Sequence, residues 1–251
     1  MKTPISYYGG KQTLLRHILP LVPNHNCYTE AFAGGAALYF AKVPATVEVI
    51  NDINQNLINF YRVLKGNFPA LKAEIDKTLH SREAHLKASI IYNYPQLFES
   101  VERAWAVWVL SRQGFASKLD GSWGYDKQKN SVAKKIQNSK DEFTDAFQKR
   151  IEHTQIECTD ALRIISSRDT SDTFHFVDPP YVGTDCGHYK DAFSEGNFRE
   201  LLELLTTLTG KFMLTMFPNP VLTEFIEKHN WKVMEVERTI SAIRSYVILA
   251  S

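Results

Sequence analysis

The sequence predicts an α/β fold: a mostly parallel sheet covered by helices, interrupted by a mostly helical inserted lobe. Three observations carry this. Short β-favouring runs such as Val47-Glu48-Val49-Ile50 and Phe174-His175-Phe176-Val177 alternate with helix-length segments toward both ends of the chain. Between residues 67 and 150 that alternation stops and helical stretches follow one another. The 251 residues suffice for a sizeable core. The simplest organisation is one α/β domain made of residues 1–66 and 151–251, with 67–150 as the inserted lobe.

The elements follow in order. Residues 11–21 are expected to be a short helix and 28–31 a strand, which ends before the pair Gly34-Gly35. A helix over 36–41, a strand over 47–50 and a helix over 54–64 complete the first half of the sheet. Helical stretches over 71–79 and 101–111 lie in the insert, followed by a loop-like segment. After residue 151 the alternation resumes, with strands over 154–158, 174–177, 211–215, 231–236 and 246–250. Helices over 161–165, 197–207 and 221–229 separate the first four of these.

Composition narrows the function classes. The net charge is +1, so a nucleic-acid partner requires clustered basic residues rather than a globally basic chain. No long apolar span, signal peptide or basic targeting prefix stands in the sequence, which gives the expectation of a cytoplasmic protein that does not engage a membrane. Cys27, Cys158 and Cys186 are widely spaced and read as reduced thiols, and the histidines show no metal-ligand spacing, so no metal is expected. Nothing implies an obligate protein partner.

The motif richest in chemistry is Asp178-Pro179-Pro180-Tyr181, directly after the apolar run that ends at Val177. Two prolines fix φ and remove two backbone donors, which stops the strand and stiffens the turn. Asp178 is left at the carboxyl end of a strand, where open α/β sheets bind ligands. A carboxylate and a free carbonyl can both accept from an NH2 group, and an aromatic ring can stack on a base. Three further stretches stand upstream: Tyr7-Tyr8-Gly9-Gly10-Lys11, Thr29-Glu30-Ala31-Phe32-Ala33-Gly34-Gly35 and Asn51-Asp52-Ile53-Asn54. The glycine pair lets backbone approach a ligand closely. Asp52, about 20 residues beyond the glycines, suits a carboxylate holding ribose hydroxyls and equally suits a helix N-cap.

Together these stretches resemble the DNA adenine methyltransferases of the Dam type, a branch of the S-adenosylmethionine-dependent amino-methyltransferases. The matching residues are Tyr8 to Lys11, Glu30 to Gly35, Asn51 to Asn54 with Leu57 and Tyr61, and Asp178 to Tyr181, in the family's order. The resemblance implies a Rossmann-like methyltransferase sheet with a DNA-recognition insert. It implies S-adenosylmethionine as cofactor, with S-adenosylhomocysteine as product, and double-stranded DNA as partner, in a bacterial or phage-infected cell. Tyr7, Lys11, Phe32, Gly34, Asp52, Asp160 and Asp178 would contact the cofactor, with Asp160 at its adenine amino group; an N-cap is the other reading of Asp160. Asp178, Pro179, Pro180 and Tyr181 would be catalytic, acting on the N6 amine of a flipped-out adenine. The same turn would accept other aminated bases, so an RNA adenine enzyme, a DNA cytosine-N4 enzyme and a catalytically silent DNA-binding homologue stay open.

The insert carries glycines, aromatics and cations interleaved from Ser111 to Lys140. Arg112 and Gln113 are of the types that read guanine and adenine edges. Lys118, Tyr125 and Lys127 are the further expected DNA contacts, and Tyr189, in the loop after the catalytic turn, is expected to close over the target base. The stretch departs from the pattern of the GATC-reading members, and the recognition sequence does not follow from it.

Overall fold

The computed structural model describes residues 1–7, 9–128, 131–181, 193–237 and 244–250. Its strands are β1 (Cys27–Glu30), β2 (Val47–Asn51), β3 (Gln155–Glu157), β4 (Thr173–Val177), β5 (Lys211–Met216), β6 (Lys232–Glu237) and β7 (Arg244–Ala250). Its α-helices are α1 (Leu15–Ile18), α2 (Ala37–Ala41), α3 (Gln55–Gly66), α4 (Phe68–Lys77), α5 (Arg82–Asn93), α6 (Ser100–Gln113), α7 (Ser131–Asp141), α8 (Ala146–Ile151), α9 (Ala161–Ser167), α10 (Glu195–Thr206) and α11 (Pro220–His229). The chain divides into two compact units. The first holds Met1–Gln12, Gly34–Ala41 and Asn54–Cys158; the second holds Thr13–Ala33, Lys42–Ile53 and Thr159–Ser251. The segment 67–150 falls wholly within the first unit, together with residues from either side of it.

In the second unit the strands lie in the order β2-β1-β4-β5-β7-β6. β1 pairs in parallel with β2 and β4, and β4 with β5. β7 is antiparallel to both β5 and β6, so the last strand of the chain enters the sheet between two earlier ones. All five residues of β4 are buried, as expected of a parallel strand covered on both faces. Helix α10 presents Phe198, Leu201, Leu202 and Leu205 to the core at the spacing of one helical face. Burying each such side chain contributes about 1.5–3 kcal/mol. Ala161, Ile164 and Ile165 of α9, and Val221, Leu222 and Phe225 of α11, join the same cluster. This is the mostly parallel α/β sheet that the alternation predicts, in the Rossmann-like form that the resemblance implies.

The first unit is helical around α6. Residues 104–111 of that helix are all buried, so it is enclosed on every side and shows no amphipathic stripe. A paired capping box of Glu99 and Glu102 starts it. Aromatic pairs pack within the same unit, including Phe68 stacked on Phe143 at 5.4 Å and Phe40 edge-on to Phe147 at 5.7 Å. One expected helix is absent as such: residues 11–21 form two 3-10 turns flanking the four-residue α1. Pro20 has no amide to donate, which prevents a continuous α-helix there.

The sheet contains a buried polar relay. His175 of β4 is fully buried, with Nδ1 2.7 Å from Thr29 Oγ1 of β1 and Nε2 3.4 Å from Asp169 Oδ1. A carboxylate only accepts, so the proton sits on Nε2 and Nδ1 accepts from the threonine hydroxyl. Asp169 also accepts from the backbone amides of Thr209 and Gly210, both at 2.8 Å. A Cβ at position 210 would lie 2.7 Å from the Thr170 carbonyl oxygen and 2.9 Å from the Asp169 carboxylate, so this approach requires glycine. Burial lowers the pKa of His175, against the opposing pull of Asp169.

A pH dependence follows. An unfolded histidine takes up a proton near its ordinary value of 6.5, whereas buried His175 resists it. Its contribution is therefore intact above that value and is lost as pH falls below it. His25 and His85 are also lowered by burial and act in the same window. The urea midpoint should drop from about pH 7 to about pH 5, and His175→Asn should flatten the drop without abolishing it. An identical slope in the variant would remove His175 from this account.

Candidate active site

The Asp178-Pro179-Pro180-Tyr181 turn sits at the carboxyl end of β4, in the second unit. Val177 is paired with Leu214 of β5, so the next residues along, Asp178 and Thr215, are neighbours. The Thr215 hydroxyl donates to Asp178 Oδ1 at 2.6 Å, and Thr215 itself is fully buried. Pro179 is buried and Pro180 half-buried, which anchors the turn to the sheet edge. Tyr181 packs against the core, its ring 4.2 Å from that of Phe217 and inclined at 57°. Phe217 follows β5, and Asn219 just beyond it caps α11 by accepting from the Leu222 amide at 2.9 Å. The stretch Thr215-Met216-Phe217-Pro218-Asn219 therefore contributes one side chain to the aspartate and one to the tyrosine. Sequence reasoning left that stretch without a role. Its available signal was position, at the end of the strand next to the catalytic one.

The expected cofactor residues of this unit lie at neighbouring strand ends. Phe32 follows β1, in a turn closed by the Ala33 amide donating to the Asn51 carbonyl at 2.8 Å. Its ring meets Phe193 edge-on at 5.8 Å. Asp52 is buried immediately after β2. It is not the cap of the next helix: Asn54 takes that role, accepting from the amides of Asn56 and Leu57. Asp160 does cap a helix, with Oδ1 accepting from the Arg163 amide at 3.1 Å at the start of α9. Asn51, quoted in the motif but given no role there, is almost fully buried and bonds to backbone on both neighbouring segments.

In the first unit, Tyr7 lies against the glycine pair. Gly34 has φ +48°, and a Cβ there would come within 3.0 Å of Tyr7 Cδ1; one on Gly35 would meet Tyr7 Cβ at 3.1 Å. Both glycines are thus needed for the tyrosine as well as for backbone shape. The Tyr61 hydroxyl donates to the Gly34 carbonyl at 2.6 Å, which fixes the turn. Tyr7 also accepts from the Gly10 amide at 3.0 Å, and the buried Lys11 ammonium donates to the Gly9 carbonyl at 2.8 Å.

The insert corrects two expectations. Arg112 donates to Ser6 Oγ at 2.9 Å, to the Pro4 carbonyl at 3.0 Å and to the Thr3 carbonyl at 3.2 Å. Burial lowers its pKa to about 10, with Glu142 opposing. Gln113 is buried, and its amide donates to the Leu79 carbonyl at 2.8 Å. Both side chains end the enclosed helix α6 and serve the interior, so neither is presented to read a base edge. Beyond them the surface opens. Phe115 is 69% exposed, on a loop where Ala116 and Ser117 both have positive φ. That loop is closed by the Phe115 amide on the Ser122 carbonyl and the Gly124 amide on the Gln113 carbonyl, both at 2.7 Å. Tyr125 is exposed and stacks on Trp123 at 5.5 Å, with the Arg82 guanidinium 4.7 Å above the Trp123 ring. Lys127 is exposed and Lys118 half-buried. Tyr189 lies outside the described residues. Among the described residues, no group of three or more His, Cys, Asp or Glu is placed to hold a metal ion.

The family model described as D12 class N6 adenine-specific DNA methyltransferase matches residues 7–240. The chain is 29% identical to the Type II methyltransferase M1.LlaDCHI of Lactococcus lactis subsp. cremoris, over 93% of this chain and 87% of that one. It is 26% identical to the DNA N-6-adenine-methyltransferase of Escherichia phage P1, over 90% of this chain and 31% of that protein. It is 24% identical to modification methylase StsI of Streptococcus sanguinis, over 82% of this chain and 33% of that protein. The family model covers most of the chain, and the chain belongs to the D12 class of N6 adenine-specific DNA methyltransferases.

Proposed function

We propose that this chain methylates the N6 amine of an adenine flipped out of duplex DNA, with Asp178 and the Pro179 carbonyl accepting from the two amine hydrogens. The observation that carries the reading is the Asp178 carboxylate, fixed by the Thr215 hydroxyl at the end of β4 and followed by a rigid turn whose tyrosine is braced by Phe217. The lone pair of this amine is delocalised into the ring, which makes it a poor nucleophile. Two acceptors at its hydrogens localise that pair and aim it. A nearby carboxylate also favours the positive charge that develops on nitrogen.

The residues of the second unit fit S-adenosylmethionine. A buried carboxylate, Asp52, stands at a strand end where ribose hydroxyls are held in α/β folds, and Phe32 and Asp160 stand at adjacent segment ends. Bound there, S-adenosylmethionine would supply a methyl group on a sulfonium, which would pass to N6 with loss of a neutral thioether and release of one N6 proton. Tyr7, Lys11 and Gly34 are proposed as cofactor contacts on the resemblance alone. The protein's own share is positioning, which can lower a barrier by several kcal/mol. Tyr181 offers its ring to the extruded base. The exposed residues of the insert, Phe115, Tyr125 and Lys127, with Lys118, form the proposed DNA-facing segment, the aromatics meeting bases and the lysines meeting phosphates.

The direct test is methylation of plasmid DNA by the purified chain, read by sequencing that detects modified bases. Methyladenine in one short sequence context is expected, and modification of cytosine alone would sink the reading. Asp178→Ala should lose methyl transfer by a factor of roughly a hundred or more, a loss far larger than any weakening of S-adenosylmethionine binding. Thr215→Val removes a hydrogen bond to a charged group, so kcat should fall by roughly tenfold to a hundredfold with the KM for S-adenosylmethionine little changed. Thr215→Ser should restore most of that loss. A valine variant with full kcat would show that Asp178 is oriented without this bond.

A further inference from the structure

The cofactor side of the second unit depends on one amide. Asn51 is the last residue of β2 and is 1% exposed. Its Nδ2 donates to the Ala31 carbonyl at 2.9 Å and to the Thr159 carbonyl at 3.0 Å, while its Oδ1 accepts from the Thr159 amide at 2.9 Å. Its own carbonyl accepts from Ala33. The partners fix the amide's orientation: two acceptors face one end and a donor faces the other. Ala31 and Ala33 bracket Phe32, Thr159 precedes Asp160, and Asp52 is the next residue along the chain. The residues bonded to this one side chain therefore adjoin two of the proposed cofactor contacts, Phe32 and Asp160, and Asn51 itself adjoins the third, Asp52.

We infer that Asn51 is a positioning residue for cofactor binding, holding Phe32, Asp52 and Asp160 in register without touching the reacting atoms. The inference rests on the proposed cofactor reading of those three residues. Only a short primary amide meets the demand for two donors and one acceptor. Aspartate has the same shape but would set a carboxylate against two carbonyl oxygens. Alanine would leave three backbone groups, one on Ala31 and two on the partly buried Thr159, without their partner.

The test is calorimetric titration of S-adenosylmethionine into the purified full chain and its Asn51→Asp and Asn51→Ala variants, with DNA affinity and kcat measured alongside. Both variants should bind the cofactor roughly tenfold or more weakly, while DNA affinity and kcat at saturating cofactor stay within about twofold. A general structural defect would lower all three together and would overturn the assignment. So would variants that bind the cofactor as tightly as the native chain. Failure of the native chain to bind S-adenosylmethionine would instead overturn the functional reading, and the inference with it. Should neither variant fold, the native protein decides by NMR. The Asn51 side-chain amide protons should exchange slowly and shift when S-adenosylmethionine is added, and fast exchange with no shift would refute the role.

Discussion

Parallel pairing on both sides of β1 is the constraint from which the site follows. β2 and β4 flank β1 in the same direction, so the chain leaves all three strands at the same edge of the sheet. β5 continues the set beyond β4. The order of strands reverses between β1 and β4, and a crevice at the carboxyl ends of such a reversal is where open α/β sheets take their ligands. Phe32, Asp52, Asp178 and Thr215 reach that edge because each lies within two residues of the carboxyl end of one of these four strands. No long-range design is needed beyond the register: Val177 opposite Leu214 is sufficient to set Asp178 beside Thr215.

Much of this was legible in the chain because the signals were local. A buried parallel strand reads as an apolar run, and two prolines after it read as a stop; both hold in β4 and the turn at Asp178. Other signals were equally local but ambiguous. Asp52 and Asp160 both fitted an N-cap, and the sequence offered no means of separating them. The structure gives the cap to Asn54 in the first case and to Asp160 in the second. A carboxylate at a cap can still accept from a ligand, since it has lone pairs beyond the one engaged by the Arg163 amide.

Arg112 and Gln113 mark where residue type misleads. Both belong to the vocabulary of base recognition, and both lie in a stretch rich in glycine and aromatics. What decides their role is that α6 is buried from Ala104 to Ser111 and again at Gln113, and the bonds of its last turn run inward. The helix carries two tryptophans, three valines and a leucine on more than one face, a pattern that signals full enclosure rather than an amphipathic surface helix. Read that way, the sequence would have moved the search for DNA contacts past Gly114, to the segment where Phe115, Tyr125 and Lys127 are exposed. Arg112 has a different consequence. Its bonds to Thr3, Pro4 and Ser6 tie the segment leading into Tyr7 to the end of the helix that runs into the loop over residues 114–124. Disturbing either would be felt by the other.

The polar groups buried in the second unit are the costliest features of the fold and the least visible in the sequence. Each of Thr29, His175, Asn51 and Thr215 sits among apolar neighbours, and an unpaired polar group in such surroundings costs about 1–3 kcal/mol. None is left unpaired. Thr29 and His175 join β1 to β4, and Asp169 carries that relay to the turn before β5. Asn51 joins the ends of β1 and β2 to the segment before α9, and Thr215 joins β5 to the turn after β4. Apolar packing alone would hold the strands together but would tolerate small shifts along their length. Hydrogen bonds with fixed directions do not, because a displacement of about an ångström removes them and exposes the desolvation cost in full. A catalyst that works by aiming one amine at one methyl group needs that intolerance. On this argument the relay inside the sheet and the two bonds at its edge are one device, in which buried polar groups convert an adjustable hydrophobic stack into a frame of defined register.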